Sequence, residues 1–208
     1  MLFRSNNSLR VACVSSTIAT LLGLLGAKAV TRYQIPGVKP IVFIIMLPMV
    51  IPLIIMGVAL LILVTRLGID LSLYTIGMAH VLISVPFATA TLISRFEGFD
   101  PSMEEASSDL GAGPWSTFWR VTLPIVAPGV LASFLLCFTI SFDEFLMAFF
   151  LGGTEPTLPI FIWGKLRFPF RLPGVLALGS LILMISFVVV FISLRLRRWG
   201  VEDTQSGI

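Results

Sequence analysis

Residues Ile41–Val64 read IVFIIMLPMVIPLIIMGVALLILV, a run of 24 residues without a single charge. A helix needs about 20 apolar residues to cross a hydrocarbon core, so this run is long enough to span a bilayer. Four further runs flank it: Leu9–Val30, Leu71–Ile93, Ile125–Leu151 and Leu172–Leu194. In lipid every backbone N–H and C=O must find a partner inside the protein, and these runs lack the alternation of a barrel strand. The expectation is therefore an all-α, polytopic membrane helix bundle of five spans, forming a single transmembrane domain over residues 1–208. Pro48, Pro52 and Pro86 fall inside spans, where proline is expected to kink a helix. Gly23 and Gly26 offer a surface on which a second helix can approach closely.

Composition agrees. Hydrophobic residues make up 57% of the chain and charged residues only 12%, against about a quarter charged in an ordinary soluble domain. The net charge of +3 is small and scattered, which excludes nucleic acid as a partner. Cys13 and Cys137 lie apart in apolar runs and form no metal-ligand spacing, so no metal site is expected. Met1 to Arg10 is polar and the run after it is too long for a signal peptide, which implies an uncleaved first span. Gly23–Lys28 lacks the spacing and Ser/Thr of a phosphate loop. With one histidine and one acid pair in the spans, no catalytic constellation emerges, and the chain reads as a non-enzyme.

Between the third and fourth runs lies the most polar segment, the loop 94–124; with the first residues of the fourth run it reads SRFEGFDPSMEEASSDLGAGPWSTFWRVTLPIVAP over Ser94–Pro128. Asp100 suits an N-cap, with Pro101 at the first helical position. Glu104 and Glu105 suit the positive end of the helix dipole. Gly111 stands where a helix ends in a left-handed residue, and Gly113-Pro114 can open a second helix through Trp115, Phe118 and Trp119. Pro124 marks the entry to the next span. Local physics thus predicts helix, glycine elbow, helix, with an aromatic patch of the kind that docks on another protein or on the membrane interface. A second long loop, Gly152–Arg171, carries Lys165, Arg167 and Arg171.

At these residues the chain resembles permease subunits of binding-protein-dependent ABC importers. Their cytoplasmic loop has the form E-A-A-x3-G-x9-I-x-L-P. Here Glu105-Ala106-Ser107 is followed by three residues, Gly111, nine residues and Val121-Thr122-Leu123-Pro124, with Ser107 and Val121 as the departures. The resemblance implies that the loop is a coupling helix docking on a cytoplasmic ATPase, with Glu105, Ala106, Gly111, Leu123 and Pro124 as coupling residues. It implies two ATPase subunits that bind ATP and Mg, a second permease subunit and a solute-binding protein as partners, with no cofactor on this chain. It also implies a location in the cell inner (plasma) membrane, with the C-terminus in the cytoplasm. With that orientation the Lys and Arg residues divide 8 inside against 6 outside, only a slight inward bias. The segments Ser141-Phe142-Asp143-Glu144-Phe145, Thr157-Leu158-Pro159 and Lys165-Leu166-Arg167-Phe168 resemble the spermidine/putrescine branch. Members of that branch usually have six spans, and Asn7-Ser8-Leu9 resembles the start of their second, so a first span is expected to be missing.

Asp143 and Glu144 are the only acids inside a predicted span. Two readings stand: cation handling along the pathway, with Phe142 or Trp163 offering an aromatic face, or a structural pair or exposure at the outer mouth. His80 is alone in mid-span, with hydrogen-bonded packing and proton relay as its alternatives. The competing function is an ion-gradient-driven secondary transporter, which would need discontinuous helices around a polar midplane site. An importer for another solute (an amino acid, a metal ion, an anion) is the other alternative.

Overall fold

The computed structural model describes residues 2–32 and 37–202, with side chains for residues 5–32, 37 and 40–195. Part of the connection Thr31–Pro40, the side chains of Arg4, Lys39, Arg197 and Arg198, and the polar tail lie outside the described residues. The elements, in chain order, are α1 (Leu2–Arg32), α2 (Val38–Met46), α3 (Leu53–Arg66), α4 (Leu73–Glu97), α5 (Ser102–Asp109), α6 (Pro114–Thr117), a π-helical segment (Phe118–Thr122), α7 (Leu123–Asp143), α8 (Leu146–Leu151), α9 (Leu158–Leu166) and α10 (Leu172–Glu202). Among the described residues four helical rods are long and apolar enough to cross a membrane: Ser5–Arg32, Leu73–Glu97, Pro114–Asp143 and Pro169–Arg195.

The uncharged run Ile41–Val64 is not one straight span. It forms two helices, Pro40–Met49 and Leu53–Arg66, bent by 102° at the break. Pro48 and Pro52 stand four residues apart, so two backbone N–H groups are missing within little more than one turn, and Pro52 disfavours the helical conformation of Ile51 before it. Pro86 and Pro128, each alone, sit within continuous helices.

The fourth run also differs from expectation. Helix begins at Pro114, ten residues before the expected span entry, and continues through Pro124 to Asp143. Pro124 has no N–H to close the turn behind it, and the chain meets this by widening: Leu123 N–H reaches back five residues to the carbonyl of Phe118. At the other end the helix stops at Asp143, Glu144 is extended (φ −70, ψ 122), and α8 starts afresh. The loop Gly152–Arg171 is not irregular, since it contains α9 and a 3-10 turn, Pro169–Arg171.

α1, α4 and α7 form the heart of the bundle. Gly23 fits here because a Cβ on it would lie 2.6 Å from the Cβ of Ala88, so the two backbones touch. Gly26 has ordinary clearance, 3.6 Å to Thr89 Cγ2. One apolar cluster (Leu24, Ala27, Leu92, Phe96 and Val126, with Phe118 and Leu123) closes the end that carries α5; another, around Met56, Ile76, Ile83 and Met147, closes the opposite end. α10 lies along α7, with Ser193 Oγ donating to the Ala132 carbonyl at 2.8 Å and Ser186 Oγ to Asp143 Oδ2 at 2.8 Å. That pairing is antiparallel, so the basic end of α10 lies at the same end of the bundle as α5.

Candidate functional site

Two polar regions stand at opposite ends of the spans. The first is the segment between α4 and α7. Asp100 Oδ1 accepts the Ser102 N–H at 2.9 Å and opens α5. The Ser102 backbone and hydroxyl bonds hold the Asp100 carboxyl below the usual carboxylate range. Gly111 adopts φ +84, the left-handed elbow, in which any Cβ is disfavoured. Met103, Glu105, Ala106 and Leu110 face solvent, Leu110 at 90% exposure, and Trp115 stands beside them at 72%. The rings of Trp115, Phe118 and Trp119 pack on one another with centroids 5.6–6.2 Å apart. Of the sequence-predicted residues, Glu105, Ala106, Gly111 and Pro124 are exposed, while Leu123 packs into the apolar cluster under the loop.

Glu104 is the residue that sequence reasoning gave no separate role. It turns the other way from Glu105. Its Oε2 lies 2.9 Å from Arg32 Nε, and its Oε1 accepts the hydroxyl of the buried Thr122. The signal available in the sequence was the 100° offset between neighbours on a helix: with Glu105 outward, Glu104 had to face elsewhere.

The second region lies at the far end. The four pathway candidates do not converge. Phe142 stacks on Phe138 at 5.7 Å, in line with Phe134 one turn further. Asp143 is exposed and takes the Ser186 hydroxyl. Glu144 points inward, its side chain 7% exposed, and accepts the backbone N–H groups of Leu146 at 2.9 Å and Met147 at 2.7 Å. The helix ends between the two acids, and the Glu144 carboxylate receives the first N–H groups of α8. His80 is buried, with Nδ1 2.7 Å from Ser141 Oγ and Nε2 3.5 Å from Glu144 Oε2. Trp163 joins Phe145 and Phe149 in an aromatic cluster, centroids 5.5–5.9 Å apart, with the Arg167 guanidinium 4.6 Å from its ring. Lys165 and Arg171 likewise lie over aromatic rings, Phe161 and Phe170. No cluster of three or more metal-ligating side chains occurs among the described residues.

An apolar bundle bearing an exposed helix–glycine–helix platform on its third inter-span connection defines a class, the transmembrane permease component of an ABC importer. Comparison with known proteins places the chain within that class. The family model described as "binding-protein-dependent transport system inner membrane component" matches residues 19–199, and the chain belongs to this family. It is 36% identical over 203 residues to the spermidine/putrescine transport system permease protein PotC of Escherichia coli (strain K12), covering 95% of this chain and 75% of that protein. It is 32% identical over 210 residues to the putrescine transport system permease protein PotI of the same organism, covering 95% and 74%. The fold matches a chain of the inward-facing MetNI methionine ABC transporter with a TM-score of 0.75 at 18% identity, covering 96% of this chain and 95% of that one. It matches a bacterial ABC transporter of alginate with a TM-score of 0.69 at 15% identity, covering 95% and 78%.

Proposed function

We propose that this permease forms half of the translocation pathway for a polyamine, delivered by a solute-binding protein and driven by two copies of a separate ATPase subunit. The observation that carries the reading is the outward face of α5: Glu105 and Ala106 stand exposed beside Leu110, Trp115 and the left-handed Gly111. An apolar patch of this size on a short polar helix suits a protein groove better than water. Docking there puts the platform and the basic end of α10 in the cytoplasm. ATP and Mg then belong to the ATPase, and this chain binds no cofactor and performs no catalysis. A second permease, identical or a paralogue, covers the apolar rod Pro169–Arg195, none of whose most apolar window is buried within this chain.

The substrate class rests on the similarity to PotC and PotI, and on an exposed carboxylate, Asp143, on the same helix as the stacked Phe134, Phe138 and Phe142. Acid and aromatic faces are the groups that hold organic cations. The deciding experiment is ATP hydrolysis by the assembled importer with its binding protein, against spermidine, putrescine, an amino acid, a sugar and molybdate. Stimulation by a polyamine alone supports the reading. Stimulation by another solute keeps the importer and rejects the substrate, and failure of any ATPase subunit to copurify rejects the docking assignment.

A further inference from the structure

α5 has no buried residue of its own, so apolar packing does not fix where it sits. What holds it is polar. Arg32, the last residue of α1, places Nε 2.9 Å from Glu104 Oε2 and donates from Nη2 to the Phe99 carbonyl at 3.1 Å. Its guanidinium also lies over the rings of Phe99 and Phe96, 4.8 and 5.7 Å from their centroids. The cation is therefore held by an anion, a carbonyl and two aromatic faces, and its side chain is only 12% exposed. The second oxygen of Glu104 takes the hydroxyl of Thr122, which is fully buried and closes the π-helical segment. One turn along α5, the Ser107 and Thr117 hydroxyls meet at 3.0 Å.

From this geometry we propose that Arg32, Glu104 and Thr122 form a clamp that transmits displacement of the platform to two spans at once. One path runs through Arg32 into α1. The other runs through Thr122 into the root of α7. That root is the section of the rod best able to yield, because Pro124 withholds one N–H and the π turn carries an extra residue. Glu105 meets the partner, and Glu104, about 100° round the helix from it, carries the movement inward. Both Glu104 and Arg32 are thus positioning residues. An exposed pair would contribute little, but this one is partly buried, and each partner makes a further hydrogen bond, Arg32 to the Phe99 carbonyl and Glu104 from the Thr122 hydroxyl. The proposal rests on the ATPase-docking reading above.

The test uses the full complex in nanodiscs: this chain, the second permease and the ATPase. Retention of the ATPase is measured together with amide hydrogen exchange before and after trapping with ATP and vanadate. In the unaltered complex, trapping should change exchange in residues 102–117 and also in 28–32 and 118–123. Glu104→Gln and Arg32→Ala should retain the ATPase and the change in 102–111, while the change in 28–32 and 118–123 falls at least fivefold. Arg32→Lys should restore most of it, which a folding defect would not allow. Undiminished change at 118–123 in both variants would overturn the clamp. Loss of the ATPase from both would also overturn it, by placing Glu104 in the docking face. If the unaltered chain retains no ATPase, the docking reading falls and the clamp falls with it, whereas failure of the clamp alone leaves docking intact.

Discussion

His80 Nε2 and Glu144 Oε2 lie 3.5 Å apart, a buried pair that joins α4 to the break after α7. The carboxylate is doubly occupied, since it also receives the first backbone N–H groups of α8. A charge buried without partners costs several kcal/mol, and here Oε1 accepts the Leu146 N–H and Oε2 those of Met147 and Ala148. The aromatic cluster of Phe145, Phe149 and Trp163 hangs on the helix that Glu144 starts.

Glu144→Ala removes the partner of His80 and leaves the first N–H groups of α8 unpaired. Losing a side chain that satisfies the first N–H groups of a helix costs on the order of 1 kcal/mol. The purified protein in detergent should unfold at a clearly lower temperature than the wild type. Glu144→Gln, which keeps one accepting oxygen, should lose less. Glu97→Ala, at an exposed position, provides the baseline. Equal melting of the Ala variant and the Glu97 control would remove the capping role.

Glu105→Lys reverses an exposed charge with no ion pair among the described residues, so insertion and thermal stability should hold while the ATPase is lost from the complex and uptake falls at least tenfold. Gly111→Asp acts differently. It forces a Cβ into a φ of +84, at a cost of about 1–2 kcal/mol, and so misplaces the elbow between α5 and α6. Uptake should again fail with membrane insertion unchanged. Uptake at the wild-type rate in either variant would contradict the coupling assignment.

Gly23 and Gly26 look alike in sequence but differ in space. A methyl at Gly23 would meet Ala88 Cβ at 2.6 Å and backbone atoms at 2.9 Å, so α1 and α4 must separate. Gly23→Ala should cost about 1–3 kcal/mol, and Gly26→Ala, with 3.6 Å of clearance, should be close to neutral. The comparison is made by chemical denaturation in detergent. A neutral Gly23→Ala would mean that the two helices do not touch at this point.

What could be read in the chain and what could not follows from the range of the interactions. Apolar length and cap residues act within one helix, so the spans, the Asp100 start and the Gly111 elbow were legible from residues near one another. Proline was legible as a breaker but not in degree. Pro86 alone is absorbed, Pro48 with Pro52 turns the chain by 102°, and Pro124 is absorbed by a π turn. The split between Asp143 and Glu144 was half legible: neighbours on a helix point about 100° apart, but only the packing of α4 against α8 supplied His80 as a partner. Arg32 and Glu104 are 72 positions apart, and no local pattern joins them.

Asp143 is the acid left facing outward after Glu144 turns to α8, and the Ser186 hydroxyl bonds its Oδ2, with Oδ1 taking no hydrogen bond among the described residues. If the pathway carries polyamines, the carboxylate adds a favourable Coulomb interaction where water is scarce. Asp143→Asn keeps the shape and the acceptor for Ser186 but removes the charge. Uptake of spermidine at limiting concentration should fall about tenfold, equivalent to about 1.4 kcal/mol, and the loss should shrink as spermidine rises. The melting temperature should stay near that of the wild type, unlike the Glu144 variants, because Asp143 holds no helix start. Ser186→Ala should have a small effect on both. Uptake that is insensitive to Asp143→Asn would mean that Asp143 takes no part in cation passage, and a melting temperature lowered as far as in Glu144→Ala would make both acids structural.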